Sequence, residues 1–450
     1  MHRVTPQGPT VIAFAQIFIE HTKPRILKHA CSLLLRWMSG LVLLTSAMNL
    51  WAVPFTYVAD SQYRAEPNEF SVIEMTGYSV LSTHTLRQGS NGMPVDLVAN
   101  PATGKIFIEK GDGLSIFDPA RNAVTAHIPI AGLRSREDDY DDGIFTEYTG
   151  RQTLAVSPDG STAYLLGVGK VIVVDIIKKI VSDTIEVDLS AATLISDREG
   201  EAVYVGNTGF SRRVRLGPPS ITVIDTALKE IDDTILLPTF SPLRMAVTPD
   251  DGQLYVVGYE LGNGDYKANR YAVVDLNAGT FSIRKMPVPA DVPNAFSLMS
   301  LLFNQNGDRV YFGTWSYGTS GSGMPVFEVD TQTGKVLRTL HVPLGVGPPT
   351  NADNHYMPRL AGSFAGGKFR LVVFTAENAH HVPANPPRRA VFLDVQNDKV
   401  LKDVKFTLPN YGKDTYVVGD VLDDAPAAPV GLQRGVSADK PKRAAVIKAH

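Results

Sequence analysis

One unit recurs seven times along this chain: a short β-branched run, a closing carboxylate, a turn and a second apolar run. The instances are Val72-Ile73-Glu74, Ile116-Phe117-Asp118, Val173-Val174-Asp175, Val223-Ile224-Asp225, Val273-Val274-Asp275, Glu328-Val329-Asp330 and Phe392-Leu393-Asp394. Successive carboxylates stand 44 to 64 residues apart, so the unit is kept while its loops vary in length. A four-strand unit at this period specifies a radial or stacked β architecture, because one unit alone cannot bury its apolar faces.

The clearest unit runs from Thr153 to Val187. Leu154-Ala155-Val156 leads into Ser157-Pro158-Asp159-Gly160, where Pro at the second and Gly at the fourth position suit a type I turn. Ala163 to Leu166, Val171 to Asp175 and Ile180 to Val187 follow, each of strand length and β-rich composition. The Asp closing the third strand has the geometry to accept backbone N–H bonds two residues on and so to start the next turn. The same order begins again at Asp96, Thr193, Arg244, Ser300 and Leu360, which makes six whole units. Residues 70–86 read as the last two strands of a seventh, and residues 432–448 as its first two. Pairing these terminal half-blades removes the open sheet edges that invite aggregation. The expected fold is all-β: a seven-bladed β-propeller of four-stranded antiparallel blades, its ring closed by the N- and C-terminal half-blades.

Val156-Ser157-Pro158-Asp159-Gly160, Ala163-Tyr164 and Val173-Val174-Asp175, with Val203-Tyr204-Val205-Gly206-Asn207 and Ile221-Thr222-Val223-Ile224-Asp225-Thr226, resemble the YVTN-type β-propeller repeat of exported bacterial and archaeal proteins. The resemblance spans residues 70–450 and implies the fold. Propellers with this repeat bind, scaffold or catalyse, so it implies no single activity.

Lys23, Arg25, Lys28 and Arg36 precede an uncharged stretch from Trp37 to Trp51 centred on Leu41-Val42-Leu43-Leu44, followed by small residues at Ala47 and Ala52. That is the layout of a secretory signal over 1–52, or of an anchor if it stays uncleaved. The apolar stretch is shorter than the roughly 20 residues of a spanning helix, which favours cleavage. Residues 53–69 read as a linker and 70–450 as the propeller domain. The sole cysteine, Cys31, falls in the leader, so the exported chain has no thiol for disulfides, covalent haem or a Cys-ligated metal. Without the leader the chain is more acidic than the whole sequence, whose formal charge is −3. That balance argues against nucleic acid as a partner.

In such a blade the first-to-second and third-to-fourth turns share one face of the disc, while second-to-third loops and blade connections share the other. The long insertions at 131–150, 206–220, 259–270, 313–324, 343–359 and 375–389 all belong to the second class. Loops lengthened on one face of a rigid scaffold are where binding residues gather. Ligand-binding candidates there are Arg212, Arg213, Trp315, Tyr317, His355, Arg359 and Arg388, which offer charge and stacking for an anion or a glycan. His355, His380 and His381 enter the same blade from that face and are candidate ligands for a divalent metal, set against the reading of solvated loop histidines. Glu137 to Gly143 offers carboxylates for calcium but lacks an EF-hand's alternation. The chain has no nucleophile elbow, phosphate-binding glycine loop or zinc-protease motif. The function expected is a periplasmic or secreted module binding another envelope protein or a small ligand. The alternatives are a metal-assisted lactone hydrolase and the propeller subunit of a periplasmic oxidoreductase.

Overall fold

A computed structural model of the chain describes residues 55–422 except 63–68, 76, 87–93, 134–151, 212–213, 263–265, 268, 288–295, 317–323, 343–358, 364–367, 377–387 and 407–414. Its strands form seven four-stranded antiparallel blades, one of them extended by an extra strand, and a small hairpin. Blade one is β4 (Pro94–Asn100), β5 (Lys105–Lys110), β6 (Gly113–Asp118) and β7 (Ala123–Pro129). Blade two is β8 (Leu154–Val156), β9 (Thr162–Gly167), β10 (Lys170–Asp175) and β11 (Ile180–Glu186). Blade three is β12 (Ala191–Ser196), β13 (Ala202–Asn207), β16 (Ser220–Asp225) and β17 (Glu230–Leu236), with the hairpin β14 (Phe210–Ser211) and β15 (Val214–Arg215) between its second and third strands. Blade four is β18 (Phe240–Val247), β19 (Gln253–Leu261), β21 (Arg270–Asp275) and β22 (Thr280–Lys285), with β20 (Tyr266–Lys267) paired beside β19. Blade five is β23 (Phe296–Phe303), β24 (Arg309–Ser316), β25 (Met324–Asp330) and β26 (Val336–Val342). Blade six is β27 (Arg359–Ser363), β28 (Arg370–Ala376), β29 (Arg388–Asp394) and β30 (Lys399–Phe406).

Blade seven corrects one expectation. Its order is β3-β2-β1-β31, with β1 (Phe55–Gln62), β2 (Glu69–Glu74) and β3 (Ser79–Thr85) from one end of the chain and only β31 (Thr415–Leu422) from the other. The termini do close the ring, but as three strands against one rather than two against two. Eight residue pairs, from Phe55↔Leu422 to Gln62↔Thr415, hold the seam. The segment 53–69, read as linker, therefore supplies β1. Tyr57 and Ala59 pack toward blade one and Val58 toward blade six, so this strand is buried on both faces. Such a strand reads as a short apolar run with no alternation to mark it. Residues 432–448 lie outside the described residues, and β31 fills the place they were expected to take.

Apolar side chains fill the space between blades. Seven large buried clusters are present among the described residues, each drawn from two adjacent blades. One joins blade seven to blade one through Tyr57, Phe70, Leu97, Ile106 and Phe117. Seven blades in an open row have six interfaces; a seventh exists only in a closed ring. The inner strands agree, since β4, β8, β12, β18, β23, β27 and β31 each neighbour the next and β31 returns to β4.

The six repeat aspartates are turn-formers, as their position after a strand implies. Asp225 Oδ1 accepts from the backbone N–H of Ala227 and Leu228 at 2.8 Å each, and Asp275 Oδ1 from Asn277 and Ala278 at 3.0 and 2.9 Å. Asp118, Asp175, Asp330 and Asp394 each take a similar bond two or three residues on. The Lys178 N–H at Asp175, and first the Thr333 hydroxyl at Asp330 and the Asn397 side-chain amide at Asp394, hold these three carboxyls below the usual carboxylate range. Four residues after every repeat carboxylate the backbone turns left-handed, at Tyr78, Asn122, Lys179, Lys229, Gly279, Gly334 and Asp398.

Candidate functional site

Each inner strand leaves a blade-to-blade connection, so its first residues lie at the end of the disc that carries the long loops. Four inner strands open with a register shift: between Pro94 and Asp96, Ala191 and Thr193, Pro242 and Arg244, and Leu298 and Ser300. A bulge re-aims the side chain that follows it. Here that residue is polar every time, and Asp96, Thr193, Arg244 and Ser300 are all buried.

Two side chains span the ring as chords. Arg359, at the start of β27, reaches past β31 to blade one, where its Nη1 lies 2.6 Å from Asp96 Oδ1 and its Nη2 donates to the Leu97 carbonyl at 2.9 Å. Gln152, just before β8, reaches past β12 to blade four. Its Nε2 donates to the Met245 carbonyl and its Oε1 accepts from the Met245 N–H, both at 3.0 Å. Thr193 Oγ1 ties the same glutamine to blade three at 3.2 Å. A primary amide that donates and accepts to one backbone residue fixes both the side chain and the strand.

Asp96 is fully occupied. Oδ1 accepts from the Leu97 N–H at 2.8 Å besides Arg359, and Oδ2 accepts from the N–H groups of Thr153 and Leu154 at 2.9 and 3.1 Å. Thr153 then donates its hydroxyl to buried Glu109 Oε2 at 2.6 Å. Further along the channel, Asp420 of β31 accepts from the Ala99 N–H at 2.9 Å and the Val421 N–H at 2.8 Å. Burial pushes its carboxyl up to about 6, opposed by the Ala99 bond and the positive charge of Arg359.

Arg244 differs from these. Its side chain is 7% exposed, and its Nε has no hydrogen-bond partner among the described residues. Burial first, then the nearby charge of Arg359, pulls the guanidinium down to about 9, with Asp96 opposing. At neutral pH it remains a cation. Ser300, at the corresponding post-bulge position of the next inner strand, is 1% exposed and its Oγ is likewise unpartnered among the described residues.

Of the candidates named from sequence, Arg359 is in this network. Arg212, Arg213, Tyr317, His355, His380, His381 and the acidic run 137–143 lie outside the described residues. Trp315 is in β24 and Arg388 in β29, at the strand ends nearest the long-loop face. Among the described residues no group of three or more His, Cys, Asp or Glu is arranged to hold a metal. Nothing in the sequence pattern alone marks Asp96, Gln152, Arg244 and Ser300 as site residues. The available signal was a polar residue at or beside the opening of a unit's first apolar run.

The fold defines a seven-bladed β-propeller whose inner strands are joined by buried polar side chains. No family model matches the chain, and no curated protein sequence does. Among solved structures it is similar to Kuenenia stuttgartiensis hydrazine synthase, at 18% identity and a TM-score of 0.50, over 69% of this chain and 86% of that one. At that identity the likeness shows the fold alone.

Proposed function

We propose that the protein is an exported β-propeller, periplasmic or secreted, that binds a partner protein or small ligand through its long-loop face around the central channel. The observation that carries this reading is buried Arg244, whose Nε has no partner among the described residues, at the end of the ring where the lengthened loops gather. A purely structural channel would pair such a charge or replace it, because an isolated buried cation costs several kcal/mol. The leader supports export, and the rigid ring supports loops that vary freely without disturbing the blades.

The test is native purification from envelope and culture fractions with identification of whatever co-purifies. It is followed by shortening the connections between β13 and β16 (211–216) and between β24 and β25 (317–323) to tight turns, leaving those strands intact. Both changes are expected to leave the melting temperature near that of the parent and to abolish capture of the co-purifying molecule. Undiminished capture by both shortened proteins overturns the assignment of this face.

A further inference from the structure

We propose that Arg244 and Ser300 form a carboxylate-binding site inside the central channel, filled by a ligand carboxylate entering from the long-loop face. The proposal rests on the binding reading above and names the chemistry of its innermost contact.

The polar groups around Arg244 are already engaged. Asp96 has both oxygens engaged, by three backbone N–H groups and Arg359. The Met245 N–H and carbonyl, next to Arg244 on β18, are taken by Gln152. Glu109 accepts from Thr153, and Asp420 from the backbone of β4 and β31. Three other buried charged groups have ion-pair partners: Lys110 lies 3.5 Å from Asp112, Arg389 pairs with Asp403, and Glu328 with Arg338. Arg244 has no ion-pair partner and its Nε no acceptor among the described residues, whereas buried Asp197, also without an ion pair, accepts from the Ala202 N–H; the adjacent inner strand presents a buried hydroxyl, Ser300 Oγ, that is likewise unpartnered.

The two groups are complementary to one oxyanion. A guanidinium offers parallel N–H donors matched to the two oxygens of a carboxylate, and a serine hydroxyl supplies a third donor. Both follow strand bulges, which turn these side chains away from the ordinary alternation along the strand. Arg359, on the inner strand beyond Ser300, adds positive potential from the far side. The carboxylates of Asp96, Glu109 and Asp420 lie toward blades one and seven. Their charge disfavours a dianion, which selects a singly charged carboxylate over phosphate.

The experiment titrates acetate into the purified full-length protein at constant ionic strength, with chloride as the matched control and phosphate as a second anion. Melting temperature and calorimetric heat are both read. Acetate is expected to raise the melting temperature above the chloride control, and Arg244→Gln to weaken acetate binding at least about ten-fold, the loss of a charge-assisted bidentate contact. Ligand-free Arg244→Gln is expected to melt no lower than the parent, since it removes a buried charge with no partner. Ser300→Ala, a smaller change that protects the test if Arg244→Gln misfolds, is expected to weaken acetate binding about three- to ten-fold. An acetate response equal to chloride overturns the proposal, as does a response to phosphate without one to acetate. A ligand-free Arg244→Gln protein that melts well below the parent also overturns it, by showing that the guanidinium is already paired within the chain. These readouts use the isolated protein and a small anion, so they fail or succeed independently of the loop-shortening test of partner capture.

Discussion

Lys229 and Gly279 hold the same place in adjacent blades, four residues after Asp225 and Asp275, with φ of 56° and 65°. Left-handed backbone crowds the Cβ of an L-residue and costs roughly 1–2 kcal/mol, a cost glycine escapes at the expense of a more flexible unfolded chain. Lys229→Gly is therefore expected to stabilise the protein by about 0.5–1 kcal/mol in urea unfolding. Its exposed ion pair with Asp183, 3.7 Å apart, is too solvated to reverse the sign. Gly279→Ala is expected to destabilise by about 1 kcal/mol, from backbone strain alone, because nothing lies within 4 Å of an added Cβ. Shifts of the same sign in both variants would refute this account of the repeat turn. The aspartate half of that turn was legible in the sequence, since an Asp after a β-branched run has few other uses. The left-handed half was not, because Tyr, Lys and Asp occupy positions where glycine is the usual marker.

At the level of elements, the inner strands carry two tasks that periodicity does not separate. Their apolar residues pack between blades, while the residue after each bulge is polar and buried, and Asp96 and Thr193 bond across to other inner strands. Asp96, Thr193, Arg244 and Ser300 open units of the repeat, yet in the sequence they look like strand flanks, since a bulge leaves no trace in a hydropathy pattern. The chords made by Arg359 and Gln152 were further out of reach, because they join strands that are not neighbours in sequence or in the ring. Strand β31 adds a pH dependence of its own. Asp420 has a folded-state pKa of about 6, above its ordinary value of 3.8. Its contribution to stability is therefore complete below pH 4 and is lost as pH rises through 6. The stability difference between the parent and Asp420→Ala is expected to shrink across that window. The side-chain carbon resonance of Asp420 is expected to titrate with a midpoint near 6; a midpoint at or below 4 would remove the claim.

For the whole molecule the decisive contact is the seam where β1 meets β31. Thr56 and Val421 are direct partners across it, and directly opposed residues of an antiparallel pair lie within disulfide reach. The variant carrying Thr56→Cys and Val421→Cys is expected to cross-link on oxidation, run faster on a non-reducing gel and gain roughly 4 kcal/mol over its reduced form. Failure to cross-link in the folded state would mean that the ring is not joined at this register. Ring size and blade count could be read from the repeat because every blade buries its faces in the same way. The division of the last blade could not, since a strand buried on both sides looks the same whichever end of the chain supplies it.

That division has a consequence for how the protein is made. The edge of β1 emerges first and waits for a partner that is not synthesised until residues 63 to 414 have been made. At ordinary elongation rates of about 5–20 residues per second the wait lasts some tens of seconds. Throughout it the nascent molecule exposes a sticky β-edge to every other chain in the compartment. Maturation therefore depends on whatever shields that edge until translation ends.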